Sequence, residues 1–455
     1  MPRRSILAGA ALVIAAAAVL VAYATLGRSG SDSRSGATRI PQATAAQLAA
    51  ANLDGFPLAP EQDRIDLAMP AFSNPTGITN PLFPIVDLPS AILSGKVDGK
   101  PFKTETTLLP GTRIFEWPDG RHVETLVSQY VAYLDGRIEE VALDYYAQAD
   151  DGSVWYFGED VFNYEDGVVA DTAGTWFAGT DGPAAMIMPA DPQVGDVYRP
   201  ENIPGLVFEE VRIKTVGRTV TGPHGPVEGA IVAAELHADG MREDKTFAPG
   251  YGEFFTSGGG DVEAMALAVP ADALPGPPPA ALETLVAGAN DVFDQARSED
   301  WNAASAAVRR MTRAWTTFQA GEVPPRLAPQ TSRALEVLVR AVDAREPARA
   351  RDAAIDAAQA GLDLQLRHRP PAEIDRARFE LWVHQLIVDA AADDAGGVIG
   401  DLVTLEWIRD RIAHTLDKVE GTRLDAHLLE LRTKVGDEDL RGAAAEAARL
   451  RVTLR

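Results

Sequence analysis

The sequence predicts a multidomain α+β protein: an N-terminal membrane anchor, a curved antiparallel β-meander, then a C-terminal all-α domain of helical hairpins. Three observations carry this. An apolar run opens the chain, Asp-Gly dipeptides recur through its middle, and the hydrophobic period lengthens from two to about 3.6 after residue 280.

Arg3 and Arg4 precede an apolar run of 21 residues from Ile6 to Leu26. At 1.5 Å per residue such a helix spans roughly 30 Å, the thickness of a bilayer core. Residues 1–27 are therefore expected to be a signal anchor in the cell membrane, with the basic pair inside and the bulk extracytoplasmic. Ala22-Tyr23-Ala24 leaves a second outcome open, a signal peptide cleaved near Ala24 and a secreted product. Residues 28–72 begin rich in Ser, Gly and Arg and read as a stalk.

The chain has no cysteine, which excludes disulfides, thiolate metal sites and a lipidated Cys. Its net charge of −24 is unevenly placed: residues 78–275 carry 12 Lys and Arg against 32 Asp and Glu. Such a surface repels phosphate backbones, so nucleic acid is excluded as a partner, while cations are compatible.

Residues 73–270 form the predicted β domain. Asp-Gly stands at residues 98, 119, 135, 151, 166 and 181, with later spacings of 15 or 16. A type I′ hairpin turn needs positive φ at both central residues, which Asp-Gly supplies at low cost. In Glu139–Ala149, Val141, Leu143, Tyr145 and Ala147 face one way and Glu140, Asp144 and Gln148 the other. That alternation predicts one buried and one solvated face. Strands this long curl, so a half-barrel or closed barrel is expected. Val207–Val220 is expected to pair with Ala230–Ala238, and Glu253–Thr256 with Val262–Val269.

Trp155, Phe157, Phe162, Tyr164, Trp176 and Phe177 are candidates to line the curl and hold a lipid-like ligand; the alternative is that they fill the core. Asp150, Asp151, Glu159 and Asp160 offer a carboxylate cluster for a cation, although no EF-hand spacing is present.

Residues 271–280 are a Pro-rich linker, and residues 281–455 predict eight helices in four hairpins starting near 281, 328, 372 and 422. The arrangement is a bundle or a short solenoid. Ser298 and Asp437 are the expected N-caps of the second and eighth helices. His384, Glu406, Glu380 and Asp410 stand at matching levels of one hairpin, but their helical phases should not converge.

Several segments of the β domain carry a family resemblance. They are Ser73-Asn74-Pro75, Asn80-Pro81-Leu82-Phe83-Pro84, Asp144-Tyr145-Tyr146-Ala147-Gln148, Asp151-Gly152-Ser153-Val154-Trp155-Tyr156-Phe157-Gly158, Met188-Pro189-Ala190-Asp191-Pro192 and Phe247-Ala248-Pro249-Gly250-Tyr251-Gly252. Over residues 73–255 the chain resembles a family of exported bacterial β-rich envelope proteins and lipoproteins that has no assigned activity. It departs from the lipoprotein members in lacking the lipidated Cys and in placing Glu253 after Gly252.

No serine-hydrolase, zinc-protease, P-loop or Rossmann motif occurs, and no cofactor is implied. The sequence thus points to a non-catalytic envelope protein that binds an unknown ligand or protein partner through its β domain, with the helices as scaffold. Two alternatives stand: a surface hydrolase acting on glycan through a carboxylate pair, and a pure assembly scaffold.

Overall fold

The structure, a computed structural model, describes residues 39–116 and 120–453. The apolar run at Ile6–Leu26 and Asp119 lie outside the described residues. Among the described residues, no helix is long and apolar enough to cross a membrane.

One antiparallel sheet contains all the strands. They are β1 (Ser90–Val97), β2 (Lys100–Glu116), β3 (His122–Leu134), β4 (Arg137–Gln148), β5 (Val154–Glu165), β6 (Val168–Asp171), β7 (Trp176–Phe177), β8 (Ala185–Met188), β9 (Val197–Ile203), β10 (Val207–Gly222), β11 (Gly225–His237), β12 (Arg242–Ala248), β13 (Gly252–Gly258) and β14 (Asp261–Val269). β1 to β6 form one meander and β14 back to β9 a second; β1 pairs with β14 to join them, and β7 and β8 both pair with β5. The meander that the Asp-Gly dipeptides announce is therefore only half of the sheet.

The Asp-Gly signal holds at three turns. Asp98-Gly99, Asp135-Gly136 and Asp166-Gly167 have φ of 50° and 75°, 53° and 81°, and 51° and 76°. These are the paired positive values of a type I′ turn. Asp151 instead accepts bonds from Ser153 N and Oγ inside a longer β4–β5 connection. Asp181 accepts from Phe177 N and closes a loop, not a hairpin.

Eight helices follow: α2 (Ala280–Arg297), α3 (Trp301–Phe318), α4 (Leu327–Asp343), α5 (Pro347–Gln365), α6 (Pro371–Ala391), α7 (Ala395–Ile412), α8 (Lys418–Gly436) and α9 (Leu440–Thr453); a short α1 (Ala45–Ala50) precedes the sheet. Within the group, α2 packs on α3 and α5, and α6 packs on α7 and α9. Two up-and-down four-helix arrangements result.

All four hairpins turn in the same way. Glu299, Arg345, Asp393 and Glu438 take φ of 57°, 55°, 56° and 57°. The next residue in each case bonds back five positions, as in Asp300 N to Gln295 O and Asp439 N to Lys434 O. This is the Schellman closure. It moves the N-caps two residues beyond the expected ones. Ser298 and Asp437 are C-caps, whereas Asp300 caps Ala303 N and Asp439 caps Gly442 N.

Residues 39–72 of the expected stalk are not a free tether. From residue 39 the chain docks along the sheet: Ile65 N donates to Val197 O, and Leu53 is fully buried. Arg64 and Asp66 form a buried pair, Arg199 N donates to Asp66, and Glu210 binds both Ala59 N and Arg199. Such charges stay buried only when each finds partners, which pins the segment. The Pro-rich linker is held too, since buried Asp272 accepts from Tyr251 Oη and Ala268 N.

The helices cover the outer face of the sheet over β1–β5 and β14. Val131, Tyr133, Val141 and Tyr164 pack against Trp382, Val403 and Trp407, and Ile92 and Leu267 join the core of α2–α5. Tyr133 stacks on Trp382 with ring centres 5.4 Å apart, and Trp407 Nε1 donates to Tyr164 Oη. Between these apolar patches lies a buried ionic network. Glu105 of β2 meets Arg411 at 3.0 Å and Arg378 at 3.5 Å; Arg378 also meets Asp363 at 2.7 Å and Asp375 at 3.3 Å. Lys103 bridges Glu105 and Asp363, both at 3.0 Å.

The Asp166-Gly167 turn rests on the start of α7. A Cβ on Gly167 would lie 2.2 Å from Gly400 N, whereas one on Gly136 would meet nothing within 4 Å. Both glycines have positive φ, which costs a non-glycine residue about 1–2 kcal/mol. Gly136→Ala should lose about that much stability and Gly167→Ala at least about 1 kcal/mol more, from overpacking against α7. Urea unfolding measures both. In the same assay Glu105→Ala, which leaves Arg378 and Arg411 short of an anion, should cost about 3–5 kcal/mol.

Candidate functional site

The central strands β4 and β5 are buried on both faces. In β4, Glu140 and Asp144 were expected to face solvent; instead both are buried, at 4% and 9% exposure. They point into the hollow of the curled sheet, because the apolar side of β4 is taken by the outer packing.

That hollow is a cavity of about 180 Å³ lined from nearly every strand of the sheet. Eight carboxylates face it: Glu140 and Asp144 of β4, Glu159 of β5, Glu201 of β9, Glu209 of β10, Glu235 of β11, Glu253 of β13 and Glu263 of β14. Lys245 of β12 is the one basic residue among its lining residues. Tyr130, Tyr146, Tyr156 and Tyr198 supply aromatic wall. Tyr146 and Tyr156 stack with centres 4.9 Å apart, and Tyr156 Oη donates to Asp144 at 2.7 Å.

Local backbone irregularities aim two of the acids inward. Tyr146 pairs with Tyr156 but Asp144 pairs with Glu159, so β5 holds one extra residue at Phe157-Gly158. Gly158, with φ of 119°, permits this bulge; a Cβ there would sit 2.1 Å from Trp176 O. The bulge turns Glu159 into the cavity and leaves Asp160 outside. A matching bulge lies in β9, where Val211 pairs with Tyr198 and Glu209 with Glu201. Glu159 and Glu201 thereby come within hydrogen-bonding reach of each other across the gap between β5 and β9.

Like charges stand directly opposite one another in three cross-strand pairs, Asp144–Glu159, Glu201–Glu209 and Glu235–Glu243. Such pairs oppose sheet formation unless protons or cations neutralise them. Burial is the leading cause throughout. It lifts Glu140 to about 8, with Asp144 adding to the rise, and Asp144 to about 7 against the Tyr156 hydrogen bond. It lifts Glu263 to about 8, helped by Glu253, and holds Glu159 well above the carboxylate range with help from Glu201 and Asp144. Burial alone would lower Lys245, yet Glu235, Glu253, Glu209 and Glu243 together hold it well above its ordinary value.

The aromatic candidates lie elsewhere. Trp155 is buried with Nε1 donating to Ser153 Oγ, and Phe157 packs edge-on to Phe72. Phe162 and Tyr164 meet Trp407 of α7. Trp176 is fully buried beside Tyr156, and Phe177 stacks near Phe115 under Arg113. None of the six lines the cavity, whose wall carries eight carboxylates. Nor do Asp150, Asp151, Glu159 and Asp160 form one cluster: Asp150 accepts from Ser73 N and Oγ, Asp151 serves its own turn, and the bulge separates Glu159 from Asp160. His384 stacks on Phe293, while Glu406 and Asp410 pair with Arg432 and Arg409.

The missed residues carried one signal: acids alternating with Ala, Tyr or apolar residues inside strands, away from the Asp-Gly turns. No protein-family profile matches this chain, and no curated protein matches it in sequence.

The raised carboxyl groups set a pH dependence. Their folded-state values near 7–8 exceed the unfolded values of 3.8 for Asp144 and 4.5 for Glu140 and Glu263, so the folded protein binds more protons between those limits. The stability they contribute is complete below about pH 4.5 and is lost as pH rises through 7–8. Without ligand, the melting temperature should fall from pH 5 to pH 8, and Glu140→Gln should flatten the fall. Calorimetric melts at the two pH values check this.

Proposed function

We propose that the chain is a non-catalytic receptor held outside a membrane by its N-terminal segment, and that its β domain binds a small organic cation. The helical domain serves as a rigid scaffold for the sheet and as a surface for an unknown envelope partner. The observation that carries this reading is the convergence of eight carboxylates and one lysine on one cavity. A protonated amine would neutralise the opposed carboxyl pairs that otherwise require bound protons. The stacked Tyr146 and Tyr156 rings add faces suited to an ammonium group. The volume of about 180 Å³ lies below the roughly 300–1,000 Å³ of drug-sized pockets, so the ligand is small.

Paired carboxylates also favour a second reading, glycan hydrolysis. The hydrogen-bonding contact of Glu159 and Glu201 argues against that pair as the catalytic one, since glycosidase carboxyls stand about 5–5.5 or 6.5–9.5 Å apart. The cavity is also small for a chain of sugars.

Isothermal titration of the full chain in detergent with putrescine, a linear diamine, tests the proposal. Binding should saturate, and it should tighten by about tenfold from pH 6 to pH 8, as about one proton leaves the cavity carboxyls. Asp144→Asn combined with Glu159→Gln should weaken it by about tenfold or more. Equal binding by this variant and the parent, or no saturable binding at pH 8, would overturn the reading.

A further inference from the structure

At the β11–β12 end of the cavity the side chains suit a different occupant. Glu235 and His237 are two residues apart on β11, so they share a face, and Glu243 of β12 pairs directly with Glu235. One ligand atom from each of the three lies within 4.8 Å of the others. His237 Nε2 already approaches Glu243 Oε1 at 2.6 Å. From these contacts we infer that Glu235, His237 and Glu243 form a binding site for a divalent transition-metal cation of the zinc type, independent of the amine reading.

The donor set decides the class of metal. Calcium and magnesium take oxygen ligands, whereas an imidazole nitrogen joined to two carboxylates favours zinc and its neighbours. Zinc ligands lie about 2.0–2.2 Å from the ion, so two of them are at most about 4.4 Å apart. The 4.8 Å bound is close to this limit, and the 2.6 Å contact of His237 with Glu243 would open toward the roughly 3.4 Å between tetrahedral zinc ligands.

Two further observations point to a ligand. Glu209 pairs with His237 across β10 and β11, is buried, and its Oε1 has no hydrogen-bond partner. Oε2 of Glu243 is likewise buried without a partner. A cation held by Glu235, His237 and Glu243 would satisfy the second and draw Glu209 in as a fourth ligand. Lys245 sits 3.0 Å from Glu235 Oε2 and competes with a cation there. His237 retains 21% side-chain exposure beside the turn at residues 238–240, which gives the ion a way in.

Equilibrium dialysis of the full chain in detergent against Zn²⁺ alone tests the site, with visible absorption of the Co²⁺ form as a second readout. One ion per chain is expected. His237→Ala and Glu243→Gln should each weaken binding by about tenfold or more and alter the Co²⁺ bands. His427→Gln removes a comparable His–Glu pair, with Glu446, in the helical domain and should leave both unchanged. Thermal melts identify variants that fail to fold; for any such variant, His237→Gln supplies the same comparison. Unchanged zinc affinity in folded His237→Ala, or no saturable uptake by the parent chain, would overturn the inference.

Discussion

Glu105 lies on the outer face of β2 between two arginines of the helical domain, and much of the architecture follows from that arrangement. Taken alone, a buried carboxylate there would be untenable. With Arg378, Arg411 and Lys103 on one side of the ledger of charge, and Glu105, Asp363 and Asp375 on the other, the network is neutral and each ion has an opposite within reach. The three positive groups hold Glu105 well below the carboxylate range despite its burial. A buried network of this kind is weak evidence for added stability but strong evidence for geometry, because any other docking would strand charges in an apolar interface. It sets where β2 meets α5, α6 and α7. The flanking contacts of Tyr133 with Trp382 and of Tyr164 with Trp407 then have one position available to them.

This docking determines which side of the sheet becomes the interior. Once helices cover the apolar side of β1–β5, the alternate residues of the same strands face inward across the curl. Among them are Glu140, Asp144 and Glu159, which meet five further acids from β9–β14. The cavity therefore collects eight carboxylates in the place least able to solvate them. Protons, Lys245 or a bound cation are the available remedies, and the opposed pairs Asp144–Glu159 and Glu201–Glu209 need one of them. An amine among the tyrosines and a metal beside His237 would use different parts of this wall. Both readings treat the acids as a site held ready by the fold, at a cost that structural packing alone does not require.

Local chemistry made much of the architecture legible in the sequence. Asp98-Gly99, Asp135-Gly136 and Asp166-Gly167 are type I′ turns because the dipeptide tolerates positive φ wherever it stands. The boundaries of the eight helices follow from amphipathic periodicity and from breakers such as Pro324-Pro325 and Pro370-Pro371. Even the shifted N-caps are local: a residue in the left-handed region closes each Schellman turn, and the cap follows it. Gly167 is the exception among the turns. Its turn is legible from the dipeptide, but its contact with Gly400 belongs to the domain interface.

By itself the sequence determined the order of sheet and helices, the acidity of the β region and the alternation within β4, because these depend on neighbouring residues. It could not assign the two faces of that alternation. A period of two separates acids from apolar side chains but does not state which set is enclosed. Only the tertiary structure decided that: helices cover the apolar face, β1 pairs with β14, and bulges at Gly158 and in β9 rotate Glu159 and Glu201 inward. Each depends on contacts between residues far apart in the chain, so no local pattern encodes them. Eight of the acids that read as a solvated surface line the interior for that reason.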